Sequence, residues 1–296
     1  MRKSGVQVPS APRRPTGPDV TSETDSWPNP SILTAEALVA ECVRIVQPVT
    51  AGLDELWHAC ATAEGLQSWQ ADEVDGELGV GQRLRLGWPA LGVSLIATVE
   101  EVIPNRRVVL ASGGWRTALE CHPGCVTLVH SGSTSMDERE GSESAWRVSL
   151  ATLAHQLKEH RRAARNAAWA ISAARLTAAQ AHFFFTDATA LGAWLTAQGA
   201  VGPAGTECQL AMRWGAQLTG QVLANTERRD VAIAWQEQGK SVLALRTLPS
   251  PTSPDERWIA LQWSTWTNVA GYDLTVRQLT SALDRLCRLA RCRAQA

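Results

Sequence analysis

The sequence predicts an α+β protein built from two tandem units of one fold, each a curved antiparallel sheet wrapped around a long C-terminal helix. Three observations predict it: one pattern of residues is written twice, a period-two run of strands fills the middle of each copy, and an amphipathic helix closes each copy. At 296 residues the chain has room for two cores of ordinary size.

The repeat is read from four blocks that recur in order. Leu66 and Trp69 match Leu191 and Trp194, and the segment Arg83 to Trp88 matches Gln209 to Trp214. Gly92 to Leu110 matches Gly215 to Ile233, each with an Arg-Arg pair ahead of an alternating apolar run. Finally Trp146, Leu153 and Leu157 match Tyr272, Leu279 and Leu283 at identical spacings. Loop-length changes between blocks account for the small shifts of register.

Along the chain, residues 1–37 are rich in Pro, Ser, Thr and Arg and poor in large apolar groups, so a disordered leader is expected there. The two units then occupy residues 38–162 and 163–296. Cys42 to Val46 and Trp169 to Ala173 alternate as opening strands. A helical stretch follows, and its second copy begins with Thr177 and Gln180 at the spacing of a capping box. The pattern then turns to period two through Leu84, Val93, Val108, Thr117 and Val126, and again through Cys208, Leu218, Val231, Leu243 and Ile259. One face of each sheet reads as apolar and the other as polar. The closing helices carry Trp146, Leu150, Leu153 and Leu157, and Tyr272, Val276, Leu279 and Leu283, on one stripe. Burying each such side chain on the concave face of the sheet stabilises by about 1.5–3 kcal/mol.

Composition narrows the function. A formal charge of -1 provides no field to gather nucleic acid or a membrane surface, and the Arg-rich stretch Lys158 to Ala168 reads as a solvated helix face. No apolar run is long enough for a membrane span. Seven cysteines, an odd number in a chain of this size, point to a reduced, cytoplasmic protein. No phosphate loop, metalloprotease motif or nucleophile elbow is present in the sequence. The stretch Cys121-His122-Pro123-Gly124-Cys125 could suggest zinc, but Pro123 and Gly124 mark a hairpin that sends Cys121 and His122 to opposite faces. No metal and no cofactor are therefore expected.

The order of elements resembles the helix-grip fold of the START-like (SRPBCC) superfamily. Within it the residues look most like the family of activators of the ninety-kilodalton heat-shock ATPase. Trp57, Leu66, Trp69, Gly81, Trp88, His130, Gly132 and Trp146 hold that family's pattern in the first copy, and Leu191, Trp194, Gly205, Trp214, Gly271 and Tyr272 in the second. Ala145 replaces a Gly, Trp263 stands where the first copy has His130, and His182 where it has Trp57. The resemblance implies a cavity between sheet and helix. It directs Trp69, Trp88, His130, Trp146 and Leu150 toward the first cavity, and Trp194, Trp214, Trp263 and Tyr272 toward the second. Thirteen Trp against one Tyr and three Phe make these aromatics either core fillers or the lining of an apolar pocket. Trp69 and Trp194 are expected to plug the mouths, and the second pocket to be the smaller.

The expectation is a non-enzymatic protein that holds a small hydrophobic molecule or, as the resemblance implies, docks a protein partner in the manner of a co-chaperone. His130 is the one inward imidazole, without a paired nucleophile. A polyketide cyclase or aromatase and a scaffold with filled pockets are the rival expectations.

Overall fold

In a computed structural model, which describes residues 42–250, 253, 255–267 and 272–294, the chain forms two seven-stranded antiparallel sheets. The first contains β1 (Val43–Pro48), β2 (Glu73–Asp75), β3 (Arg83–Trp88), β4 (Val93–Ile103), β5 (Arg107–Ser112), β6 (Trp115–His122) and β7 (Cys125–Ser131). The second contains β8 (Asn166–Ala174), β9 (Thr196–Gln198), β10 (Glu207–Met212), β11 (Gln217–Asn225), β12 (Val231–Trp235), β13 (Val242–Pro249) and β14 (Arg257–Thr265). Strand order is β1-β7-β6-β5-β4-β3-β2 in one and β8-β14-β13-β12-β11-β10-β9 in the other, so the repeat in the sequence is a repeat of topology. The three-residue strands β2 and β9 are too short to show a period and have no counterpart in the sequence reading.

Between its first two strands each unit inserts two short helices: α1 (Leu53–Ala61) and α2 (Ala63–Gln67), then α4 (Ala178–Thr186) and α5 (Ala188–Trp194). The expected capping box opens α4, with Gln180 N donating to Thr177 Oγ1 at 3.1 Å and Thr177 N donating to Gln180 Oε1 at 2.8 Å. Each unit closes with a long helix, α3 (Met136–Glu159) and α6 (Tyr272–Ala294). Leu150, Leu153 and Leu157 of α3 and Leu279, Leu283 and Leu286 of α6 lie buried on the concave faces. Among the described residues no helix is long and apolar enough to cross a membrane. The expected leader lies outside the described residues.

The second sheet departs from the one-sided expectation. Helix α3 carries a second stripe, Val148 and Ala151, which packs with Ala224, Ala232, Ala234, Val242, Ala244 and Trp266 on the outer face of that sheet. Every residue of β12 is buried as a result. Alanine on the outer rows lets the helix approach closely, and a continuous apolar run is the signature of a strand covered on both faces. Helix α3 therefore packs on both sheets, on the concave face of the first and the outer face of the second.

The junction also differs from the solvated face expected of Lys158 to Ala168. Arg165 is buried where the chain turns from α3 into β8, and donates to Trp69 O at 3.0 Å and to Asp72 Oδ1 at 2.9 Å. Trp169 Nε1 donates to Asp72 Oδ2 at 2.8 Å, and Trp266 Nε1 to Ser68 O at 2.8 Å. Burial lowers the Arg165 guanidinium to about 10 and raises the Asp72 carboxyl, outweighing on both sides their mutual attraction. These bonds join the second unit to the end of α2 in the first.

Candidate functional site

The concave face of the first sheet and helix α3 leave a cavity of about 480 Å³ between them. Its floor is aliphatic, with Leu86, Leu95, Leu110 and Leu119 supplied by the inward rows of β3 to β6. Trp69, Trp88, Trp115 and Trp146 stand around it. Trp69 is fully buried with its indole N–H donated to Ala59 O at 3.0 Å, so it shows the cavity an apolar surface and spends its polar atom inside the protein. Trp88 is half-buried and donates to Gln70 O at 3.2 Å.

One wall is polar. In the β6–β7 register His130 lies opposite Thr117, and their side chains share a hydrogen bond of 2.7 Å between Oγ1 and Nδ1. The imidazole packs against Trp115 at 6.1 Å and Trp146 at 5.9 Å between ring centroids. Burial lowers its pKa from 6.5, against a smaller opposing pull from Glu138, so it is held as the neutral ring at neutral pH. Among the described residues Nε2 makes no hydrogen bond. Gly132, beside it, has φ +106°, and a Cβ there would sit 2.4 Å from Gly114 O; only glycine lets the β7 end pass this close to the β5–β6 turn.

Two residues of this site were not singled out from the sequence, Trp115 as an aromatic and Thr117 as a polar group. Both sit on the inward row that contains Leu119, and counting back by two along β6 finds them. Leu150 is placed differently from the expectation. It is wholly buried in the core and does not line the cavity, whereas Glu138, Ser142, Ala145, Trp146 and Ser149 of α3 do.

In the second unit two indoles, Trp235 and Trp263, are buried in the core at the corresponding place. Trp194 is fully buried and donates its indole N–H to Phe184 O at 2.9 Å, repeating the Trp69 bond. Neither Trp69 nor Trp194 is a plug at a mouth; each is a core residue whose ring is pinned by the preceding helix. Trp263 lies opposite Leu243, as His130 lies opposite Thr117, and stacks on Trp235 at 6.2 Å. By the repeat, Trp235 replaces Ser112 and Gly220 replaces Ala97. A Cβ at Gly220 would lie 2.8 Å from the Trp235 ring, so the glycine is what admits the indole. Trp214 packs partly buried against this core, and the side chain of Tyr272 lies outside the described residues.

The Cys121 to Cys125 stretch is the β6–β7 hairpin, with Gly124 at φ +82°. Cys121 is buried beside Cys60, and His122 is outside, 3.9 Å from Glu120. Among the described residues no three His, Cys, Asp or Glu side chains gather in a way that could hold a metal ion.

No family model and no curated protein matches the sequence. Solved structures do. A di-domain ARO/CYC protein, StfQ from the steffimycin biosynthetic pathway, is 10% identical over 86% of this chain and 99% of its own, with a TM-score of 0.40. DynU16, a putative protein in the dynemicin biosynthetic locus, is 17% identical over 84% of this chain and 99% of its own, with a TM-score of 0.38. The Aha1 dimer from Colwellia psychrerythraea is 20% identical over 39% of this chain and 95% of its own, with a TM-score of 0.36. The chain is a tandem helix-grip protein. That statement rests on its own strand order and helix placement; at such identities no activity passes from these neighbours to it.

Proposed function

We propose that this tandem helix-grip protein holds one small, largely apolar molecule in the cavity of its first unit, without chemical conversion. The second unit, with Trp235 and Trp263 stacked in its core, serves as the platform against which the first is built. The observation that carries this reading is the cavity of the first unit, about 480 Å³ between sheet and helix, where the second unit has Trp235 and Trp263 stacked in its core. Such a volume lies within the range of roughly 300–1,000 Å³ common to small-molecule pockets. The single imidazole among leucines and indoles supports orientation of a ligand by one hydrogen bond.

Native mass spectrometry of freshly purified protein tests this directly. A co-purifying small molecule that is lost from a Trp88→Ala, Trp146→Ala variant supports it, and a variant that retains the same molecule argues against this cavity as its place.

A second reading, conversion of a bound carbonyl compound by proton transfer, is favoured by the Nε2 of His130, which makes no hydrogen bond among the described residues and sits on the polar wall of an otherwise apolar cavity. If the co-purified compound is altered on incubation with native protein and unaltered with His130→Gln, the enzyme reading stands over the carrier. The resemblance to heat-shock ATPase activators supports a protein partner as the lesser alternative.

A further inference from the structure

The cavity of the first unit has a wall that the second unit supplies. In β13 the outer row runs Val242, Ala244, Arg246 and Leu248, since every other residue faces the same side. Val242 and Ala244 lie beneath helix α3. Arg246 and Leu248 continue past the helix and line the cavity. A pocket framed by one sheet and its own helix thus has an arginine of the other sheet on its lining.

That guanidinium is poorly satisfied. Its side chain is 13% exposed, and its ion pair is a long one, 3.9 Å from Nε to Asp230 Oδ2. Among the described residues it makes no hydrogen bond, and Nε is buried without a hydrogen-bond partner. Asp230 spends its oxygens elsewhere: Oδ1 accepts from Thr247 N at 2.8 Å and Oδ2 from Ser144 Oγ at 2.9 Å. Neighbouring Arg229 and Arg257 also have buried nitrogens without a hydrogen bond, but each makes a closer ion pair, Arg229 with Asp137 at 2.9 Å and Glu140 at 2.6 Å and Arg257 with Asp137 at 3.4 Å, and neither lines the cavity. The other charged group lining the cavity, Glu138, is engaged at the start of α3 by Thr134 N at 2.7 Å and Thr134 Oγ1 at 2.8 Å.

A buried cation with donors to spare at the edge of an apolar cavity is costly unless an acceptor completes it. We propose that the ligand is an apolar acid: its hydrocarbon or aromatic body lies among Trp88, Trp115 and Trp146, and its anionic head, a carboxylate or an equivalent oxyanion, accepts hydrogen bonds from Arg246. This deepens the proposed function and rests on it. It also gives the second unit a part in recognition, since a first unit alone would present the apolar walls without the cation.

A matched pair of dyes tests it. 8-Anilino-1-naphthalenesulfonate carries an anionic head, and N-phenyl-1-naphthylamine is the same body without one. Both are titrated into the full chain by fluorescence, with decanoate and decanol as competitors and Ser149→Trp as the variant that closes the cavity. The expected result is that Arg246→Gln weakens the sulfonate dye roughly ten- to hundredfold while the neutral dye changes by about twofold or less. Decanoate should displace the neutral dye better than decanol in the native protein only, and Arg246→Lys should restore part of the preference. Because Arg246→Gln removes the cation beside Asp230, an Asp230→Asn, Arg246→Gln variant with a native melting curve gives the same reading if the single variant is unstable. Equal weakening of both dyes, or none, overturns the role of Arg246 and leaves the pocket standing. Failure of the neutral dye to bind native protein, or binding that Ser149→Trp does not abolish, overturns the pocket itself and this inference with it.

Discussion

His130 and Trp263 occupy the same place in two copies of one sheet. The imidazole lies opposite Thr117 on β6 and Val43 on β1, and the indole opposite Leu243 on β13 and Ala168 on β8. A hydrogen-bonded pair at the wall of an open cavity in the first unit has become an apolar contact inside a packed core in the second.

Copying the second unit into the first should close the site. The variant Ala97→Gly, Ser112→Trp, His130→Trp places the Trp235 and Trp263 indoles, and the glycine that admits one of them, at the equivalent first-unit positions. It is expected to lose dye binding while keeping a melting temperature at or above that of the native chain, because apolar surface is buried and a cavity is removed. A folded variant that binds the dye as before would place the ligand elsewhere.

The three buried indoles should separate by their N–H partners. Trp69→Phe and Trp194→Phe each leave a buried backbone carbonyl without its donor and should cost about 1–3 kcal/mol in urea denaturation. The Trp235 indole N–H is buried without a partner, so Trp235→Phe removes an unsatisfied group and should cost less than either. Equal losses at all three positions would contradict the bonding pattern.

Asp72 holds the junction through Arg165 and Trp169. Asp72→Ala leaves a buried guanidinium unpaired, for which a loss of about 3–5 kcal/mol is expected. Replacing both charges, as in Asp72→Asn with Arg165→Met, should cost clearly less than Asp72→Ala. A double-mutant cycle read by calorimetry measures the difference.

Stability should fall as the pH is lowered below about 6.5. His130, His155 and His160 all have pKa values lowered from 6.5, in each case mainly by burial. The unfolded chain therefore takes up protons at a higher pH than the folded one. The full contribution is present above the unfolded value and is lost as the pH drops through the folded values. Asp72 and Asp230, raised by burial, act in the opposite sense nearer 3.8 and soften the loss there. His155 and His160 both meet the Lys240 carbonyl and pack with Trp266, His160 stacking on it at 4.6 Å. A His155→Gln, His160→Gln variant should flatten the pH dependence of the urea midpoint between about pH 7 and 5.

The fold could be read from the sequence because the repeat fixes the order of elements and because inward rows of leucine and tryptophan alternate with polar residues in the first unit. The same rule misled at β12, where Ala232 and Ala234 sit between large inner residues. A small side chain there is equally consistent with solvent and with a helix packed close. Arg165 lay hidden in a basic run, where spacing alone cannot tell one buried arginine from its solvated neighbours. The site was half legible. Trp88, Trp146 and His130 follow from the family pattern that the chain resembles, whereas Arg246 reaches the cavity from the outer face of another sheet, and no period within the first unit points to it.

Helix α3 is gripped on both sides, by its own sheet and by the outer face of the next. It cannot swing outward to let a molecule pass without tearing Val148 and Ala151 from the alanine rows beneath them. Entry is then expected from the strand side, where Leu91 of the short turn Pro89–Leu91 and Gly113 of the β5–β6 turn border the cavity. Amide hydrogen exchange should find these turns opening at neutral pH and slowing when ligand is bound, with the amides of α3 among the last in the chain to exchange.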